Sequence, residues 1–227
     1  MHLYIANKLY SSWSLRPWIL MKALDIPFQE TVIPMYQPDS KASMLAVSPT
    51  GKMPCLVDGN VTVWESLAIL EYLAEKFPDQ AVWPKDARAR AHARAASNEM
   101  HAGFQALRQA CPMNLSRRFK PRDFGPDVTA NVDRLSALWA EARHAFGQDG
   151  PFLYGAFSAA DAMYAPVVTR LDTYQIDVNA ETRAYMDAVL AHPAFVAWRT
   201  AALEEPWQVS HYEEGHTAAE VYHHPKA

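Results

Sequence analysis

Leu3-Tyr4-Ile5-Ala6, then Ser14-Leu15-Arg16-Pro17-Trp18-Ile19-Leu20-Met21-Lys22-Ala23-Leu24, then Phe28-Gln29-Glu30-Thr31-Val32-Ile33 stand in succession near the start of the chain. The first run is short and apolar and reads as a strand. In the second, Leu15, Trp18, Ile19 and Leu24 recur at helical intervals. The third reads as another strand, and a helix between two strands makes a parallel crossover the natural connection. This βαβ unit sets the fold class: an α/β sheet opens the chain.

Working outward, a looser stretch leads to Pro54–Val57 and Val61–Trp64, β-rich runs on either side of Asp58-Gly59-Asn60, a strong hairpin turn. Ser66 then opens a helix whose apolar face is Leu67, Leu70, Leu73, Ala74 and Phe77, and Pro78 stops it. The expected order to this point is β-α-β-α-β-β-α. From Ala87 onward strand signals give way to Ala-rich amphipathic stretches at about 87–110, 129–146, 158–173, 181–191 and 193–202. Pro78, Pro84 and several polar residues mark a linker, so the expected domains are 1–80, mixed α/β, and 87–227, all helix. The tail from 203 carries His211, His216, His223 and His224 among glutamates and reads as solvated and partly mobile rather than as a metal site.

The chain has 227 residues, 50% hydrophobic and 20% charged, with a net charge of −4, a composition that excludes disorder as a default and supplies no field for gathering phosphates. Nucleic acid and anionic membranes are therefore not expected partners. Cys55 and Cys111 are far apart and form no C-x-x-C, which excludes a disulfide framework, a zinc ribbon and a dithiol redox motif. A reducing compartment fits, and the short apolar start is too brief for a signal segment or a spanning helix. The expected location is the cytoplasm.

Three features carry chemistry. Ser11-Ser12-Trp13-Ser14-Leu15-Arg16 lies between the first strand and the first helix, where hydroxyls meet free N–H groups and the positive end of the helix dipole. An anion is stabilised there, although serines at a helix start serve equally as plain caps. Gly51-Lys52-Met53-Pro54 runs straight into the third strand; a cis bond at Met53-Pro54 would turn the Met53 backbone toward an extended peptide-like ligand, while only ~5–6% of X-Pro bonds are cis. Glu65-Ser66 stands at a helix N-terminus, able either to cap it or to hold an amino-acid head group.

Together these features resemble those of the cytosolic glutathione transferases. Ser11-x-x-Ser14-x-Arg16 is similar to the S-x-x-S-x-R element of the serine-type classes, zeta and tau among them; Lys52-Met53-Pro54 resembles the stretch before the family's cis-proline; Glu65-Ser66 resembles its γ-glutamyl-binding pair. Phe157-Ser158-Ala159-Ala160-Asp161 resembles the capping box of the family's second domain.

The resemblance implies a thioredoxin-like first domain that binds glutathione and an all-helical second domain that lines an electrophile pocket where His101, Phe104 and Arg108 fall at helical spacing, Phe104 itself reading as core packing. It also implies roles. Ser11 donates to the glutathione sulfur, with Ser12 and Ser14 as rivals and Ser14 the stronger candidate for helix cap. Met53 beside Pro54 pairs with the cysteinyl part, Lys52 meets a ligand carboxylate, Glu65 and Ser66 hold the γ-glutamyl end, and Arg16 is a structural charge. The implied activity is attack of a glutathione thiolate on a small apolar electrophile by a homodimeric enzyme. A glutathione-dependent isomerase of the maleylacetoacetate type and a non-catalytic interaction protein are the alternatives. The zeta class has a cysteine in S-S-C-S where this chain has Trp13, which argues against the isomerase, and the lack of a cysteine at Ser11 argues against thiol–disulfide exchange. Cys55 and Cys111 read as core residues, Arg117–Arg122 as an exposed loop, and the Arg88, Arg90 and Arg94 run as a solvated helix face.

Overall fold

The computed structural model describes residues 1–223. β1 (His2–Ile5) leads into α1 (Ser12–Ala23), and β2 (Gln29–Val32) returns parallel to β1, as the spacing requires. The looser stretch holds α2 (Ser40–Val47). β3 (Cys55–Asp58) and β4 (Val61–Trp64) form the hairpin, β3 runs antiparallel to β1, and the sheet order is β2-β1-β3-β4. Gly59 adopts φ +60 in the tight turn, a region that favours glycine. α3 (Ser66–Lys76) packs with α1 beside the sheet. The expected β-α-β-α-β-β-α order is therefore present.

The second part is helical: α4 (Ala87–Ala102), α5 (Gln105–Ala110), α6 (Pro126–Phe146), α7 (Ala159–Thr173), α8 (Ala180–Ala191) and α9 (Pro193–Leu203). Three particulars differ from the sequence reading. The stretch expected as one helix over 87–110 breaks at Gly103, where a Cβ would stand 2.7 Å from the Glu99 carbonyl oxygen, and at Phe104, which turns left-handed with φ 57. His101 and Arg108 thus sit on different helices, and Phe104 is buried between them. α6 starts earlier than expected, because Gly125 followed by Pro126 is itself a helix-start signal.

The third difference is a small sheet. β5 (Arg117–Phe119) pairs antiparallel with β6 (Ala218–Val221), so Arg117–Arg122 is not a free loop and the tail, though solvated along β6, is anchored to the helical part. Arg117 pairs with Glu213 at 2.6 Å, Phe119 is buried, and His223 is buried with its Nε2 2.6 Å from the Glu205 carbonyl oxygen. Alternation of apolar and charged side chains over three or four residues is too short to read as a strand without its partner. His224 lies outside the described residues. Arg94 on α4 is exposed as expected, paired with Glu71 through two bonds of 3.0 and 2.8 Å.

α7 is the centre of the molecule. Nearly every residue from Ala159 to Leu171 is buried, and Ala159, Ala160, Ala162 and Ala165 let α1 and α4 pack closely against it. Such a helix has no solvent to satisfy its N-terminal groups, and Asp161 does so instead. Its carboxylate accepts from Ser158 N at 2.9 Å, Ser158 Oγ at 3.1 Å, Leu153 N at 3.0 Å and Tyr185 Oη at 3.2 Å. Complete burial nevertheless raises its pKa to about 6, the four donors opposing the shift.

Asp161→Asn replaces an acceptor-only group by one that also donates, leaving buried N–H groups unpaired, and lowers the urea midpoint by an amount corresponding to roughly 2–4 kcal/mol at pH 7. The folded-state pKa lies above the ordinary 3.8, so between pH 4 and 6 the folded chain holds a proton that the unfolded chain has lost. Wild-type stability through this group falls as pH rises across that window. The stability gap between wild type and the variant is therefore wider at pH 4 than at pH 6 in urea titrations.

Candidate active site

The site forms where three loops of the sheet domain meet the helices of the second part. After β1, Ser11 N donates to Asn7 O at 2.8 Å and closes a turn that places Ser11 as the N-cap of α1. Ser14 N donates to Ser11 Oγ at 3.3 Å, so the cap is Ser11 and not Ser14 as the sequence reading preferred. The reason lies beneath: Ser14 is fully buried, its Oγ accepts from Ala6 N at 3.0 Å, and it thereby ties the helix to the end of β1. Ser11 Oγ donates to Ser14 Oγ at 2.8 Å. The hydroxyls of Ser11 and Ser12 belong to residues lining a cavity of about 440 Å³, whereas Ser14 lines no part of it.

The loop before β3 contributes Gly51, Lys52 and Met53 to the same cavity. Gly51 has φ +60 and a Cβ there would stand 2.8 Å from Lys41 Nζ, so this wall is built for glycine. The Met53–Pro54 bond is cis. A second cavity of about 260 Å³ adjoins the first and shares Trp13, Lys52 and Met53 with it, adding Thr50, Pro54 and Glu65. Glu65 precedes α3 with φ +69, a left-handed conformation that costs a non-glycine residue on the order of 1 kcal/mol or more and that exposes its carboxylate beside the free N–H groups of the helix. Ser66 is buried, lines neither cavity, and accepts from Arg16 Nη1 at 3.4 Å.

Six of the expected residues, Ser11, Ser12, Lys52, Met53, Pro54 and Glu65, thus line two adjoining cavities; Ser14 and Ser66 lie just behind them. The second part closes the larger cavity with Arg108, Met113, Arg170 and Tyr212. The sequence reading did not find Trp13, Arg170 or Tyr212 as site residues. Arg170 had a signal: it is the one cation in the apolar run Ala165-Pro166-Val167-Val168-Thr169-Arg170-Leu171. Tyr212 had none, because it arrives from the tail.

Trp13 joins the parts. The guanidinium of Arg16 lies 4.2 Å and that of Arg108 4.7 Å from its ring centroid, and His101 meets it edge-on at 5.3 Å. Burial holds the Arg16 pKa well below its usual range, with Arg170 and Arg108 pushing the same way. His101 is shifted down by burial and then by Arg16, so the imidazole is neutral at pH 7. The two cysteines play no part in an ionised form: Cys55 is raised by burial, and Cys111 is pushed up to about 12 for the same reason. Among the described residues no group of three His, Cys, Asp or Glu side chains is placed to hold a metal. No helix there is long and apolar enough to cross a membrane.

This geometry suits a ligand with an extended peptide backbone and a thiol. Residues 10–76 match the model of the glutathione S-transferase N-terminal domain, and residues 87–201 that of the C-terminal domain. A probable maleylacetoacetate isomerase of Caenorhabditis elegans is 29% identical over 195 residues, covering 82% of this chain and 86% of the relative. A maleylacetoacetate isomerase of Pseudomonas aeruginosa is 27% identical over 207 residues, covering 86% and 93%. In fold, the chain is similar to a solved glutathione transferase homologue from Burkholderia with bound glutathione, at a TM-score of 0.67 and 20% identity, covering 90% of this chain and 98% of that one. With the C-terminal model alone spanning more than half of its 227 residues, the chain belongs to the glutathione S-transferase family.

Proposed function

We propose that the protein binds glutathione in the smaller cavity, through the domain expected at 1–80, and activates its thiol for attack on an electrophile held in the larger one against residues 87–227. The observation that carries this reading is the convergence of Ser11, Ser12, Lys52, Met53 and Glu65 on two adjoining cavities at the N-termini of α1 and α3. Met53 pairs its backbone with the cysteinyl part of the tripeptide. Glu65 takes the γ-glutamyl ammonium while free N–H groups near Ser66 take the carboxylate, and Lys52 meets the glycyl carboxylate. The relatives named as isomerases make a glutathione-dependent isomerase the second reading.

Ser11 is the hydroxyl we assign to the sulfur. Ser11 lines the cavity and its Oγ donates to the buried Ser14 hydroxyl, which also accepts from Ala6 N, so pairing with the sulfur requires the Ser11 proton to turn from Ser14 into the cavity. Ser14 is then a positioning residue. A thiol with pKa near ~8.5 is only a few per cent ionised at pH 7, and one hydroxyl donor with a helix N-terminus supplies about two units of depression. The thiolate forms a C–S bond at the electrophilic carbon, the leaving group departs with its electron pair or the acceptor π bond takes the charge, and the thiol proton passes to solvent. Neither protein thiol competes, as both are held protonated by burial.

Val61 and Trp64 leave apolar surface exposed on edge strand β4, which is consistent with a homodimer. A cytosolic location is consistent with two unpaired cysteines.

Isothermal titration calorimetry gives glutathione a dissociation constant between micromolar and millimolar; no heat and no thermal stabilisation at ~10 mM would remove the reading, since a ligand of the folded state alone must stabilise it. Ser11→Ala leaves that constant within a few-fold, raises the bound thiol pKa followed at 240 nm by about one unit, and lowers turnover about tenfold or more. Ser14→Ala strands the Ala6 N–H and loses roughly 1–3 kcal/mol in thermal or urea unfolding, a larger loss than that of a surface cap.

Glu65→Gly separates stability from binding. It relieves the positive φ, so the melting temperature holds or rises, while removal of the carboxylate weakens glutathione binding about tenfold or more in the same calorimetric assay.

A further inference from the structure

The larger cavity has a charge that the proposed chemistry does not use. Arg108 and Arg170 both line it, Lys52 sits at its border with the smaller cavity, and no aspartate or glutamate lines it at all. Among the described residues neither arginine has a carboxylate within salt-bridge distance. Their partners are neutral: Arg108 Nη1 donates to His101 O at 3.2 Å and Gly103 O at 3.4 Å, where α4 ends, and Arg170 donates through Nε to Cys111 O at 2.9 Å and through Nη1 to Pro166 O at 3.0 Å. The C-terminal ends of α4 and α5, which supply the Gly103 and Cys111 carbonyls, each carry up to about half a negative charge and offset part of each cation, not all of it, while Pro166 lies within α7.

Two guanidiniums so placed repel each other, and a buried cation without an anion is a large penalty unless a ligand removes it. Arg170 is only 5% exposed, and burial together with the nearby Arg108 lowers its pKa to about 10. It is still charged at neutral pH. Much of the remaining wall is apolar, with Met35, Met44, Pro112 and Met113 beside the rings of Tyr10 and Tyr212, and its other polar groups, those of Ser11, Ser12, Gln105 and Gln109, are neutral. The volume, about 440 Å³, lies in the range of small-ligand pockets and is far larger than a sulfur atom requires.

We infer that the acceptor substrate has a small apolar body bearing a carboxylate, and that Arg108 and Arg170 are the residues that select it. This deepens the reading above and rests on it: glutathione fills the cavity that contains Glu65 and Pro54, its sulfur stands at Ser11, and the acceptor's anionic end faces α5 and α7 across the larger cavity. The apolar electrophile expected from sequence is thereby modified, because an uncharged acceptor would leave the buried Arg170 and the half-buried Arg108 without an anion. Specificity of this kind comes from penalising the wrong ligand as well as holding the right one.

The test uses the full chain saturated with glutathione and a matched pair of acceptors, 4-chloro-3,5-dinitrobenzoate and its methyl ester. In each, a C–S bond forms at the ring carbon and chloride leaves with the C–Cl electron pair. Each kcat/KM is divided by the uncatalysed rate of the same acceptor with glutathione, which cancels intrinsic reactivity. The carboxylate is preferred over the ester by about tenfold or more, as a charge-assisted pair predicts, and Arg108→Gln reduces that ratio to near one, mainly through KM. A wild-type ratio at or below one overturns the inference. So does an undiminished ratio in Arg108→Gln, or an equal loss on both acceptors with a raised thiol pKa, which would assign Arg108 to the sulfur. Should the variant not fold, the wild-type chain decides alone: 3,5-dinitrobenzoate inhibits about tenfold more tightly than its methyl ester, and equal inhibition overturns the inference. Calorimetry separates the levels. If glutathione does not bind, both readings fall; if it binds and the ester is preferred, only this one does.

Discussion

Burial of α7 is the constraint on which the remainder of the structure depends. A helix enclosed on every side by apolar contacts can present few polar groups, and each must find its partner inside the protein. At the N-terminus Asp161 gathers four donors and fixes the loop that carries Leu153 and Ser158. Near the C-terminus Arg170 reaches the Cys111 carbonyl and fixes the end of α5. One end of α7 thus spends its polar group on structure, and the other turns a cation toward a cavity. The backbone bond from Ala159 N to Val82 O, at 2.8 Å, brings the linker to the same helix.

The two parts of the chain are joined by this core and by a polar seam around the turn after β1. Trp198 Nε1 donates to Lys8 O at 3.0 Å, and Glu205 accepts from Lys8 N at 2.7 Å and Leu9 N at 3.2 Å. Leu115 N donates to Leu9 O at 3.1 Å. These are backbone groups of the segment that positions Ser11, so the second part and the returning tail hold the first helix start in place. A site between two layers gains precision in this way, since neither layer alone determines where Ser11 stands relative to Arg108.

The sheet, the crossover and the hairpin were legible because each has a local signature: apolar runs of strand length, helical intervals through Leu15, Trp18 and Ile19, and a turn at Asp58-Gly59-Asn60. Ser11, Lys52, Met53 and Glu65 were legible for a related reason, since they sit at strand ends and helix starts where sequence marks the boundary. The ribbon of β5 and β6 was not, because strands this short are defined by a partner about a hundred residues away. The identity of the α1 cap was missed as well. Three serines within four positions satisfy the same local rule, and only the Ala6 N–H, which needs the fold to come near, decides that Ser14 is the one completely buried.

Trp13 is the position at which this chain departs from the zeta motif that it resembles. Where the zeta pattern has cysteine, this chain has an indole whose π face meets two guanidiniums, at 4.2 Å for Arg16 and 4.7 Å for Arg108. A cysteine side chain has no π face and could not hold Arg108 in that way. With the ring present, Arg108 is held between the α4 carbonyls and the indole, a placement that fixes the cation without neutralising it. A carboxylate in the protein would have stabilised Arg108 more strongly and would also have cancelled the field it projects into the cavity. The indole and the helix ends leave that field in place for a ligand to complete.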